Sequence, residues 1–178
     1  DGSYTNTTSD LFSDGLSVAS AVSDSFTVDA TDPSLSTVDL IASSDTGTSD
    51  SDDETADSSP TLEFTAESGA TVTIDWGNGA GFVAAGTGTG AAQQETLAAV
   101  YTSDNDYTIQ VRATDSAGNT TTQSLTIGID ITAPDAPSAP DLVAGSDSGR
   151  SDSDDITSQT TLSFTGTAEA NAVMTIIS

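Results

Sequence analysis

The chain has 178 residues, with 28 acidic side chains against 2 basic ones, no His and no Cys, and a formal net charge of −26 at pH 7. Repulsion excludes nucleic acid and anionic membrane surfaces as partners, and divalent cations become the natural ones. Without thiol or imidazole there is no zinc site, no disulfide scaffold and no Cys or His catalysis, and no apolar run is long enough to insert into a membrane.

Residues 1–30 read as the closing strands of one module, ending at Asp29 ahead of Asp32-Pro33. Residues 38–42 form a short first strand, followed by the acidic loop Ser44-Asp45-Thr46-Gly47-Thr48-Ser49-Asp50-Ser51-Asp52-Asp53. Residues 61–66 (TLEFTA) and 71–76 (TVTIDW) alternate apolar with polar, which predicts strands with one buried face. Gly77-Asn78-Gly79 and residues 86–90 are turn clusters, and residues 93–101 read as a strand with a short helix as the other reading. Residues 107–113 (YTIQVRA) and 123–129 (QSLTIGI) alternate again around the turn Thr114-Asp115-Ser116-Ala117-Gly118-Asn119.

From there the pattern starts over. Asp29 recurs as Asp130, Asp39-Leu40-Ile41-Ala42 as Asp141-Leu142-Val143-Ala144, and Asp14 as Asp115. The acidic loop returns as Ser146-Asp147-Ser148-Gly149-Arg150-Ser151-Asp152-Ser153-Asp154-Asp155, and Thr61-Leu62-Glu63-Phe64-Thr65 resembles Thr161-Leu162-Ser163-Phe164-Thr165. A repeat of about 101 residues is the size of a domain rather than of a solenoid turn, so the chain is a string of modules with separate cores. The expected division is residues 1–30 (closing strands of one repeat), 31–133 (a complete repeat) and 134–178 (opening strands of the next). Short strands with turn punctuation and no helical periodicity predict an all-β chain of tandem immunoglobulin-like antiparallel β-sandwich domains, one complete and two partial. Trp76 is expected in the core, with Tyr107 as a tyrosine that pins a corner.

The acidic loops carry the chemistry. Clustered carboxylates on Ser, Thr and Gly repel one another unless a cation sits among the oxygens, and a hard oxygen set suits Ca2+. The loop lacks the Gly at position 6 and the Glu at position 12 of an EF-hand, so ligands are expected from several loops. Sandwich connectivity puts the Asp45–Asp53 loop and Asp130 at the outgoing pole of the module, and Asp115 with Asp29 at the incoming pole. The candidate ligands are therefore Asp45, Asp50, Asp52, Asp53, Asp130, Asp115 and Asp29, with Asp147, Asp152, Asp154 and Asp155 in the following repeat and Asp14 in the preceding one. The acids lie in polar loops with few aromatics, which argues against a glycosidase cleft and for a chain that is not an enzyme.

The ordered set Asp-x-Thr-x-Pro, Asp-Leu-(Ile/Val)-Ala, the acidic loop, Phe164-Thr165-Gly166-Thr167-Ala168-Glu169 and Ala113-Thr114-Asp115-Ser116-Ala117-Gly118-Asn119 resembles the bacterial immunoglobulin-like (Big) tandem repeats. Such repeats extend giant RTX, type I-secreted adhesins and biofilm-associated surface proteins. The resemblance implies an extracellular, cell-surface spacer in which calcium at the junctions couples neighbouring repeats of the same chain. The alternative is a self-assembling subunit of a surface filament or biofilm matrix, in which other copies of the chain complete the partial modules. A third reading, sugar stacking on Trp76-Gly77-Asn78-Gly79, follows from the one aromatic-plus-amide cluster.

Overall fold

The computed structural model describes residues 1–8 and 22–177, and the fold is all-β, with no helix among the described residues. Two units are distinct, Asp1–Ile131 and Thr132–Ser178.

In the first unit, β1 (Gly2–Thr8) and β2 (Val22–Val28) form an antiparallel hairpin in which Tyr4 faces Phe26. Their rings stack at 5.4 Å. The sandwich then follows as β3 (Asp39–Leu40), β4 (Glu54–Thr55), β5 (Thr61–Thr65), β6 (Thr71–Asp75), β7 (Val83–Thr87), β8 (Ala92–Thr96), β9 (Asn105–Thr114) and β10 (Thr120–Ile129). One sheet has the order β3-β5-β8, the other β4-β10-β9-β6-β7. The alternation read from the sequence supplies both inner faces: Leu62 and Phe64 from β5, Val72 and Ile74 from β6, Ile109 and Val111 from β9, and Ile127 from β10 are fully buried. Each such side chain contributes roughly 1.5–3 kcal/mol by leaving water, which is what holds the two sheets together.

Trp76 is 6% exposed and belongs to this core, so it has no free face for a sugar, and the stacking reading fails on burial. The Tyr107 hydroxyl donates back to the Ser103 carbonyl (3.2 Å), the expected corner role, and its ring packs against Tyr101 at 4.0 Å. Tyr101 itself is buried and donates to the Trp76 carbonyl at 2.7 Å. Residues 93–101 divide: the first part lies in β8, while Leu97 and Tyr101 plug the core beyond it.

Two strands have no clear sequence signal. β4 is a two-residue parallel partner of β10, with Glu54 opposite Gly128 and Thr55 opposite Ile129. β7 runs into the start of the segment read as turn, taking in Gly86 and Thr87, and the β6–β7 register shifts between Val72 and Thr73, where left-handed Gly86 (φ 102°) sits opposite.

The second unit holds β11 (Asp141–Leu142) and β12 (Phe164–Thr165). Asp141 pairs with Thr165 and Leu142 with Phe164, as Asp39 pairs with Glu63 and Leu40 with Leu62. Phe164 therefore takes the place of Leu62, not of Phe64. The TLEFT and TLSFT likeness is out of register by two residues, and the repeat runs on without the deletion that likeness suggests. The flanking bonds agree: Ser36 N–H to Thr65 carbonyl recurs as Ser138 to Thr167, and Ala70 to Glu67 recurs as Ala172 to Glu169. Asn171 has the left-handed φ (68°) that Gly69 has in the first repeat.

Candidate metal centre

The acidic loop leaves β3 through a tight turn in which the Ile41 carbonyl accepts the N–H groups of Ser44 (2.8 Å) and Asp45 (3.1 Å). Ser44 is buried and works on three sides. Its Oγ accepts the Thr61 N–H (3.0 Å) and donates to Asp57 Oδ2 (2.9 Å), while its carbonyl accepts the Thr55 hydroxyl. Thr46 and Thr55 join their hydroxyls across the loop neck at 3.0 Å. Gly47 is required for space, because a Cβ there would lie 2.9 Å from the Glu54 carbonyl oxygen. These bonds are local polar contacts of the kind Ser, Thr and Asp make in turns, and they set the loop before any ligand is considered.

Inside this frame Asp45 is only 5% exposed. Its Oδ2 accepts the Asp53 N–H at 3.3 Å, and its Oδ1 is buried with no hydrogen-bond partner. Asp53 adopts a left-handed backbone (φ 61°) and also has a buried Oδ1 without a partner. Burial raises the Asp53 pKa above the ordinary carboxylate value, and the negative charges of Asp39, Asp45, Asp52 and Glu54 push the same way. Asp50 and Asp52 are exposed, and Asp52 Oδ1 accepts the Glu54 N–H at 3.3 Å.

The second unit builds the same loop from different residues. The Val143 carbonyl accepts Ser146 N–H (2.6 Å) and Asp147 N–H (3.0 Å), and Ser146 Oγ accepts Ser163 N–H (3.0 Å). Asp147 is 4% exposed; its Oδ2 accepts Asp154 N–H (3.1 Å) and Asp155 N–H (3.2 Å), and its Oδ1 is again buried and unpartnered. Asp155 repeats the left-handed φ (57°), and its Oδ1 accepts Leu142 N–H at 3.3 Å. Gly149 repeats the close approach, since a Cβ there would lie 2.5 Å from the Ile156 carbonyl oxygen. Asp152 and Asp154 are exposed.

A buried carboxylate oxygen with no donor costs about 1–3 kcal/mol, and a cation would relieve it. The donor set of Asp45 and Asp53, with Thr hydroxyls and main-chain carbonyls around them, consists entirely of hard oxygens of the sort that suit calcium. Among the described residues, however, no group of three or more acidic side chains is already gathered as a metal cluster. The four-carboxylate cluster expected from the sequence reduces to an inward pair, Asp45 with Asp53, and two exposed acids, Asp50 and Asp52.

The other candidates fall at the two poles. Asp53 carbonyl accepts Gly128 N–H and Thr55 carbonyl accepts Asp130 N–H, each at 2.9 Å, which brings the loop and Asp130 together. Glu54 and Asp130 line one cavity of about 190 Å³ with Thr46, Gly47, Thr55 and Ala56. Sequence reading missed Glu54, because its role depends on β4. It also missed Asp104, whose Oδ1 accepts the Ile131 N–H at 2.7 Å. At the opposite pole Asn119 Nδ2 donates to the Asp29 carbonyl (3.2 Å) and to Asp115 Oδ2 (2.8 Å), so Asp29 and Asp115 do share a neighbour. Asp115 Oδ1 takes the N–H groups of Ala117, Gly118 and Asn119 at 2.7–2.9 Å. The Asn119 side-chain bond is the main reason the Asp115 pKa is lowered, with the three main-chain donors acting the same way against a desolvation that opposes them. Asp14 lies outside the described residues.

A two-sheet sandwich whose acidic loop and linker Asp recur in the next repeat defines a tandem immunoglobulin-like module. The sequence model of the bacterial Ig-like domain matches residues 31–131 and 132–178, and the chain belongs to that family. Domains of this family are typically non-catalytic structural units and usually occur in surface proteins. A search of curated proteins finds no match. No helix among the described residues is long and apolar enough to cross a membrane.

Proposed function

We propose that these repeats are spacer modules of an extracellular bacterial adhesin or biofilm-associated protein of the RTX, type I-secreted kind, stiffened by calcium at the acidic loops and at the joints between repeats. The observation that carries this reading is the orphaned, buried Oδ1 of Asp45 and its counterpart on Asp147. Two repeats keep the same unfavourable feature in the same hydrogen-bond frame, and a divalent cation is the simplest group that removes the cost in both.

Asp45 and Asp53 would hold the ion in the first loop, with Asp147 and Asp155 in the second. Calcium takes six to eight oxygens, so Asp130, Glu54 or acids of an adjoining module complete the shell. A bound ion supplies positive charge that offsets local repulsion in a chain of net charge −26. Without it, the short linkers act as hinges; with it, adjoining repeats form a rod, helped by the local stiffness of Pro134, Pro137 and Pro140. Small-angle scattering on the chain tests this: the maximum dimension should be longer in calcium than in chelator, and equal dimensions would overturn the rod.

Assembly with other copies is the second reading, favoured by Tyr4 and Phe26, which are 54% and 56% exposed on the β1–β2 hairpin. Electron microscopy distinguishes the two, since separate bead-strings fit the spacer and ordered filaments with lateral contacts fit assembly.

A further inference from the structure

The β6–β7 turn takes no part in the loop chemistry, yet it carries the chain's one Asn-Gly pair, Asn78-Gly79. Gly77, Gly79 and Gly81 all adopt left-handed φ (70°, 85° and 71°), so this turn is built on glycine conformations. Asn78 is exposed, and its Oδ1 accepts the Ala80 N–H at 3.1 Å. That bond spans Gly79 and folds the side-chain amide back along its own main chain. Nothing beyond its chain neighbours lies within 4 Å of the position a Gly79 Cβ would occupy, so no packed group crowds that side of the turn.

We propose that Asn78 is a site of spontaneous deamidation in the folded protein. The Gly79 main-chain nitrogen gives up its proton to solvent base and attacks Asn78 Cγ. A new C–N bond closes a cyclic imide, and the side-chain nitrogen leaves as ammonia. Water then opens the imide at either carbonyl, giving aspartate or an isoaspartate whose main chain runs through the β-carbon. One water is consumed and one ammonia released, with no change in oxidation state.

The other described asparagines lack this combination. Asn119 precedes β-branched Thr120, and its amide is tied to Asp115 and the Asp29 carbonyl. Asn105 sits in the β9–β10 ladder opposite Ile129 and precedes Asp106. Asn6 is likewise paired, opposite Asp24, and Asn171 precedes Ala172.

The location gives the reaction a consequence. Asp75 pairs with Gln110, towards the Asn105 end of β9, and Asn105 pairs with Ile129 just before Asp130. The turn is therefore on the outgoing pole, and conversion adds a carboxylate to the pole that already holds Glu54, Asp104 and Asp130. Isoaspartate also lengthens the main chain beside a shallow cavity that Asn78 lines with Val100, Tyr101 and Tyr107.

The test incubates the folded 178-residue chain at mildly alkaline pH and maps its peptides by mass spectrometry, with isoaspartyl methyltransferase labelling as a second readout. Asn78 is expected to convert roughly tenfold faster than Asn105, Asn119 or Asn171, because only Gly79 offers an amide with no Cβ beside it. Asn78→Gln should remove the label from the peptide that spans residue 78, with circular dichroism checking that the variant is folded. Conversion no faster than at the other asparagines, or conversion of Asn78 only after denaturation, overturns the proposal.

Discussion

At the outgoing pole of the sandwich, Asp45 is buried and left with an oxygen that nothing donates to; at the incoming pole, Asp115 sits in an exposed turn with four N–H donors on its two oxygens. The residue type is the same and the sequence context similarly polar, yet one carboxylate is satisfied by its own turn and the other is not. The difference is topological. Asp115 closes a hairpin whose N–H groups have no strand partner, whereas the loop around Asp45 spends its N–H donors on Ser44, Thr46 and the neighbouring carbonyls, with the Asp53 N–H reaching only Asp45 Oδ2. A carboxylate that organises a turn has its donors already, while a buried one short of donors keeps a cost that a bound cation would relieve.

Calcium itself gives the largest contrast. A ligand at a hundredfold its dissociation constant stabilises by about 2.7 kcal/mol per site, so scanning calorimetry should show the melting transition rising by several degrees over that in chelator. Asp45→Asn comes next and should reverse sign with conditions. In chelator it removes a buried charge and stabilises or leaves stability unchanged, and in calcium it costs about 1–3 kcal/mol through the lost ligand. Asp115→Ala should lower the melting temperature equally with and without calcium, because it removes hydrogen bonds rather than a ligand. Gly47→Ala, which forces a Cβ against the Glu54 carbonyl, should cost about 1 kcal/mol or more and weaken calcium binding by opening the loop neck.

The smallest effect is in pH. Asp53 has a raised pKa, so in the metal-free protein its contribution to stability is fully present below the unfolded value of 3.8 and is lost as pH rises through the folded one. Asp115 has a lowered pKa, so its contribution is present above 3.8 and is lost as pH falls through the folded one. Carboxyl-carbon NMR titration in chelator should place the two on opposite sides of the ordinary value.

Much of this architecture could be read in advance because it rests on period-two alternation. The inner faces of β5, β6, β9 and β10 are visible in TLEFT, TVTID, YTIQVRA and QSLTIGI, and Trp76 and Tyr107 follow from where those runs end. β4 was not legible, since Glu54-Thr55 is a strand only by pairing with Gly128 and Ile129 far along the chain. β7 was hidden by small residues and by Gly86, whose left-handed φ marks an irregular ladder rather than a turn. The repeat register slipped because TLEFT and TLSFT look alike, while the ladder pairs Leu62 with Leu40 and Phe164 with Leu142. For the site, spacing pointed to the loop but not to which of its acids turn inward. That division depends on the Ser44 frame and the left-handed Asp53, neither of which has a periodic signature.

Isothermal titration of the chain with calcium, beside Asp45→Asn and the double variant Asp45→Asn with Asp147→Asn, asks whether the buried aspartates hold the ion. Binding to the unaltered chain should be saturable, with reduced stoichiometry when one loop is changed and loss of the loop-associated heat when both are. Binding that is absent from the unaltered chain, or identical in all three proteins, would contradict that role.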